Sequence, residues 1–296
     1  MAVRDDSAAE YVLEPIRWVR DTPKVLGAAL GRLWGRDVML YTGGVSFFAL
    51  LAIFPAVAIM IGLYSLFSDP QQAAIQAEAI GRLMPAGAET LFQGEVVRLV
   101  QAPHEAVSVQ SIFALVVGAY AAHRGFKALL AGLSFIHDEP KPRGFLGFNI
   151  LALLVLIAAF ALMAASSAVF LTIRLFAETL DFKPLKGLWW IYSEWTWASA
   201  GLWLALTLIY RFAMASRPVA WRASAIGGVA ATAMLLAASW ACAVYVDEIA
   251  PLGATYGSLA TFIVFLIWLS WNVNAVFFGG ALATEVEARL KGPRAR

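Results

Sequence analysis

The chain has a single cysteine, Cys242, among its 296 residues, and three histidines, His104, His123 and His137, far apart from one another. One thiol excludes an internal disulfide and a thiolate metal cluster. Histidines so scattered form no metal-ligand spacing, so neither a metal nor a cofactor is expected. Charge is scarce as well. Asp, Glu, Lys and Arg make up 14% of the chain, against about 25% in an ordinary soluble domain. No GxxxxGK[ST] loop, HExxH or GxSxG motif occurs, so ATP use through a phosphate loop, zinc proteolysis and serine hydrolysis lack the residues they need. The arginines are too few and too dispersed for an RNA surface. The reading is of a protein that is not an enzyme and binds no nucleic acid. The first 40 residues hold six acidic and six basic groups without an early apolar core. No cleaved signal peptide is therefore expected, and the first apolar span would be its own targeting signal.

What the chain does have is apolar length. It is 61% hydrophobic, with a mean hydropathy of +0.73. Tyr256–Ala283 runs 28 residues without Asp, Glu, Lys, Arg or His. As a helix it would reach about 42 Å, more than the roughly 30 Å of bilayer hydrocarbon. Five more segments read as spans, giving an all-α polytopic membrane protein with six transmembrane helices at about 43–67, 109–128, 145–172, 188–212, 223–246 and 256–283. A membrane domain over 43–283 is then flanked by an N-terminal segment, 1–42, and a basic tail, 284–296. Thr22-Pro23 caps an amphipathic helix with Leu26, Ala29, Leu30, Leu33 and Trp34 on one face, lying in the interface or packed on the bundle's end. Alternate loops divide the 22 Lys and Arg residues into 17 and 5. That asymmetry puts both termini in the cytoplasm. Residues 68–108, with amphipathic pieces near 71–83 and 86–101, become an extracytoplasmic helical hairpin between spans 1 and 2.

The candidate site residues are polar groups at membrane depth. Asn272 and Asn274 interrupt the last span; they either line a path or bond to neighbouring helices, and at two residues apart they face different neighbours. Arg124 and Lys127 follow only about 14 apolar residues of span 2, so either they snorkel to the interface and could hold an anionic head group, or the helix breaks at Gly125. Glu194 sits inside an aromatic belt and either pairs with Arg174, where span 3 ends, or simply hydrogen-bonds at the interface. Tyr256 and Ser258 start the last helix, with Gly257 allowing close backbone approach. Pro55 in span 1 implies a kink, and the small residues of span 5, with Gly227 and Gly228 among them, imply close helix packing.

Three stretches together resemble the YihY/BrkB family of bacterial inner-membrane proteins. They are Ser46-Phe47-Phe48-Ala49-Leu50-Leu51-Ala52-Ile53-Phe54-Pro55, the arginine-bearing end of span 2 with its loop from Tyr120 to Phe145, and Tyr256-Gly257-Ser258-Leu259 with Trp268 and Gly280-Ala281 behind it; Gly279 and Gly280 are read as structural. The similarity runs over about residues 30–290. The family usually places a glutamate after the Gly-Ala of the last helix, where this chain has Leu282; its nearest carboxylate is Glu285, one turn on. It also tends to read Tyr-Gly-Ser-Leu-Gly, where this chain has Ala260. The resemblance implies a multi-pass protein of the bacterial inner membrane. Members are labelled virulence factors, some carry an old ribonuclease label, and export or flipping of lipid-like molecules has been suggested for relatives. The function expected from it is a non-ATP-driven transporter or flippase, with membrane lipids and a lipid-like substrate as partners. The alternative is an envelope-assembly scaffold with no transport of its own, working as a homo-oligomer or with a partner protein.

Overall fold

The computed structural model describes residues 22–34, 37–65, 93, 94, 97, 109–139, 143–179, 193–245 and 259–291. The expected hairpin, Tyr256, Gly257, Ser258 and the tryptophans of the belt before Ser193 fall outside this set, apart from isolated hairpin residues. The described chain forms α1 Thr22–Trp34, α2 Val38–Ser65, α3 Val109–Ile136, α4 Phe145–Thr179, α5 Glu194–Phe212, α6 Trp221–Val244 and α7 Ala260–Leu290. No strand occurs among the described residues. Among the described residues two stretches, Trp221–Val244 and Phe262–Leu290, are long and apolar enough to cross a membrane. The bent pair Thr22–Trp34 and Val38–Ile53 makes a third if counted as one span. Large apolar side chains stand exposed along the bundle, among them Phe113 and Val116 on α3, Leu146, Leu154 and Ile157 on α4, and Trp240 on α6. Surface of that kind is at home against lipid or protein, not water.

Small residues decide how the helices meet. A Cβ built on Gly227 of α6 would stand 2.5 Å from Gly279 O and 2.8 Å from Ala283 Cβ. One built on Gly279 would stand 2.6 Å from Gly227 O and from Ala231 Cβ. The two backbones therefore touch, as small-residue helix faces allow. Between α2 and α3 the same device recurs. The Pro55 ring occupies the space where any side chain at position 118 would go, and Gly125 lets α3 close on Phe48. Pro55 lies inside α2, which continues on both sides of it.

The helices differ from the expected spans where charge was read as a boundary. α4 runs on through Arg174 to Thr179, because an arginine ends an apolar run without breaking a helix; the next helix breaker is Pro184. α3 passes Gly125 unbroken, so the broken form of span 2 is not adopted. α7 carries on past Ala283 to Leu290, bringing Glu285 and Glu287 into the bundle. Helix α1 buries Val25 and Ala29 in the core and leaves Leu26, Leu30 and Trp34 exposed. It packs on the bundle with one face and keeps an apolar face free. The core centres on Tyr210, Phe277, Met214, Leu133 and Ile136.

Candidate functional site

At one end of the bundle α1, the turn after α3, the loop between α5 and α6 and the last turns of α7 converge on charged groups. Arg32 reaches Glu285 Oε1 with Nε at 2.5 Å, and with Nη1 donates to Asp138 Oδ2 at 2.7 Å and Ile136 O at 3.0 Å. Asp138 closes α3 with a φ of 56°. Its N–H bonds Phe135 O while Glu139 N–H bonds Ser134 O, a Schellman end in which glycine is the favoured residue. Aspartate at this left-handed position supplies the carboxylate that Arg32 needs. Glu139 in turn accepts from Ser216 N and Oγ at 2.9 and 2.7 Å. Arg143 donates to the carbonyls of Phe212, Ala213 and Ala215, satisfying the open C-terminal end of α5.

Glu287, only 4% exposed, accepts from Ala220 N–H at 3.2 Å and from Lys291 Nζ at 3.0 Å. Ala220 is the residue before α6, so the carboxylate sits at the positive end of that helix. His137 Nε2 faces Glu287 at 3.6 Å and its Nδ1 is 3.0 Å from Thr284 Oγ1, whose own proton goes to Gly280 O. Nδ1 is thus the donor in that bond. Burial holds the His137 imidazole below its usual 6.5; Glu287 and Glu139 oppose that shift, and Lys291 and Arg32 add to it. A histidine depressed in the folded state binds fewer protons there than when unfolded. Its contribution to stability is present above about 6.5 and is lost as pH falls through the folded value. Thermal unfolding of the purified protein is expected to shift down on acidification below that point, and His137→Gln to flatten the dependence.

Along α7, polar groups face two different helices. Thr42 Oγ1 of α2 donates to Asn274 Oδ1 at 3.0 Å, and one turn farther from the charged end Ser270 Oγ donates to Ser46 Oγ at 3.4 Å. On the other side Asn272 donates from Nδ2 to Trp268 O at 2.7 Å and accepts from Ser239 Oγ of α6 at 3.4 Å. Trp268 Nε1 completes that group by donating to Ser239 Oγ at 3.1 Å. Both amides therefore bond to neighbouring helices. Asn272→Leu or Asn274→Leu is expected to cost about 1 kcal/mol of unfolding free energy, measured by thermal or chemical unfolding in detergent.

Helix α3 presents Tyr120, His123, Arg124 and Lys127 at spacings of three and four residues, which puts them on one stripe. The Arg124 guanidinium lies 5.6 Å from the Phe48 ring centre and 5.9 Å from that of Tyr120. Lys127 Nζ lies 5.4 Å from the Phe145 ring centre. His123 Nε2 meets Asn149 Oδ1 of α4 at 3.3 Å, while its Nδ1 is buried without a hydrogen-bond partner.

Of the residues singled out in the sequence, the structure joins Asn274 to α2 and Asn272 to α6, and places Arg124 and Lys127 on the α3 stripe. Gly279 and Gly280 become contact points, the latter against Leu133, and Pro55 rests on Gly118. The side chains of Glu194 and Arg174 lie outside the described set, as do Tyr256, Gly257 and Ser258. Arg32, His137, Asp138 and Glu287 escaped notice in the sequence because their partners are distant along the chain. The one signal available was two carboxylates, Glu285 and Glu287, directly following the longest uncharged run. Leu282 is buried in the apolar core, and the nearby Glu285 is the partner of Arg32. Among the described residues, no group of three or more His, Cys, Asp or Glu side chains is placed to hold a metal ion.

An all-helical bundle with membrane-length apolar helices and polar seams between them defines an integral membrane protein. A profile of the family described as Virulence factor BrkB matches residues 29–296, and the chain belongs to that family. It is 23% identical over 264 residues to a Bacillus subtilis (strain 168) protein named "Putative ribonuclease-like protein YfkH", covering 84% of this chain and 90% of the relative. No solved structure matches.

Proposed function

We propose that this protein crosses the bacterial inner membrane six times, with both termini in the cytoplasm, and moves lipid-like amphipathic molecules across it without using ATP. The observation that carries this reading is the α2–α7 seam. α2 packs most extensively on α3, and α7 on α6, while α2 meets α7 through hydroxyls and an amide at 3.0 to 3.4 Å. Bonds of that kind exchange partners at low cost, so this seam can part more readily than the close α2–α3 and α6–α7 pairings. Arg32, bonded to Asp138 and Glu285, fastens the same two groups at the charged end and is suited to act as the closure. Such a bundle can expose the seam to one side and then the other.

The test uses the full chain reconstituted into vesicles containing a head-group-labelled phospholipid, with a reductant that cannot cross the bilayer. Active protein is expected to bring inner-leaflet label out to the reductant. Bleaching confined to the outer leaflet, equal to that of protein-free vesicles, would contradict the proposal.

A further inference from the structure

The stripe on α3 lies at a depth that its sequence position conceals. Leu133 of α3 meets Gly280 of α7, and Gly132 meets Phe277. The two helices run in the same direction, so nine residues back along both brings Arg124 level with Trp271. Arg124 covers Phe48, and Phe48 is half a turn beyond Ser46, which faces Ser270. Arg124 therefore stands level with Trp268–Trp271, the middle of the uncharged run of α7. That is about 21–26 Å from Glu285 at 1.5 Å per residue. Its guanidinium leans over Tyr120, one turn farther from the charged end, so it does not snorkel toward that end. Among the described residues no carboxylate pairs with it, and its side chain is exposed at the bundle surface.

An exposed, unpaired arginine at the middle of a bilayer is costly, and such residues mark the path of a polar ligand. On one side of it is the Phe48 ring; on the other are His123, whose Nδ1 has no partner, and Asn149. Lys127 adds a second cation one turn toward the charged end. Two cations beside aromatic faces suit a phosphate, which guanidinium groups bind through paired hydrogen bonds. Resting on the transport reading above, we infer that the Tyr120–His123–Arg124–Lys127 stripe holds the phosphate of an anionic lipid-like molecule that reaches it sideways from the bilayer.

Mass spectrometry of the intact full-length protein released from mixed phosphatidylglycerol and phosphatidylcholine tests this without requiring flux. Wild type should retain phosphatidylglycerol over phosphatidylcholine by about tenfold, the size of one charge-assisted hydrogen bond. Arg124→Gln should remove the preference, Arg124→Lys should keep part of it, and Arg217→Gln in the loop after α5 should leave it intact. Equal retention of the two lipids, or an unchanged preference in Arg124→Gln, would overturn the inference. Displacement of phosphatidylglycerol by inorganic phosphate would assign the site to a soluble anion and overturn it too. Flux without any head-group preference would overturn this inference alone and leave the transport reading standing.

Discussion

Gly279→Val is expected to cost about 3 kcal/mol or more, enough to strip most of the protein from the membrane fraction. Position 279 has no free direction. A Cβ there meets Ala231 Cβ and Gly227 O at 2.6 Å and the Tyr210 hydroxyl at 2.7 Å. Two of these neighbours cannot yield. Gly227 O is backbone, and Tyr210 is fully buried with its hydroxyl donating to Val276 O at 2.6 Å. The clash would force α6 from α7, the most extensive helix pairing in the bundle. Gly147→Ala is the control: nothing lies within 4 Å of a Cβ there. Alanine is the better helix residue by about 1 kcal/mol, so that variant should unfold at the same or a higher temperature.

Arg32→Ala is the second large effect. It leaves Glu285, 17% exposed, without its cation, and removes a hydrogen bond from Ile136 O. Breaking a buried pair from one side costs several kcal/mol, and partial exposure reduces this to roughly 2–3 kcal/mol. A double change, Arg32→Met with Glu285→Met, should recover much of the loss, because the charge left unpaired is what destabilises. A thermal-unfolding cycle over the wild type, two single variants and the double variant measures it. Equal losses in the double and single variants would contradict this, since removing the unpaired carboxylate would then recover nothing.

The sequence made the helices legible where length in one dimension was enough. Tyr256–Ala283 is an uncharged run of membrane length wherever it sits, and α7 contains most of it. The small residues of the fifth span were recognisable as a contact face, and Gly227 and Gly228 meet α7 and α5 respectively. Register between helices was not legible, since it depends on which small residue receives which partner. Arg124 looked like an interfacial residue because only about 14 apolar residues precede it. The pairings Leu133–Gly280 and Phe48–Gly125 are what set its depth. The charged cluster was hidden for the same reason: Arg32 and Glu285 are 253 residues apart, and Asp138 accepts a left-handed backbone for a partner that no local pattern announces. The amides were visible as polar atoms out of place, though not the helices that would satisfy them.

Transport through a seam that opens between α2 and α7 is most directly tested by locking that seam. Ser46 and Ser270 face each other with their oxygens 3.4 Å apart, close enough for cysteines to bridge. Cys242, the chain's single native cysteine, is buried on α6, so a Ser46→Cys, Ser270→Cys double variant adds one defined pair. In vesicles holding head-group-labelled phosphatidylglycerol, the oxidised double variant should lose its flux and regain it on reduction, with each single variant unaffected. Flux that continues undiminished through the closed disulfide would contradict the account.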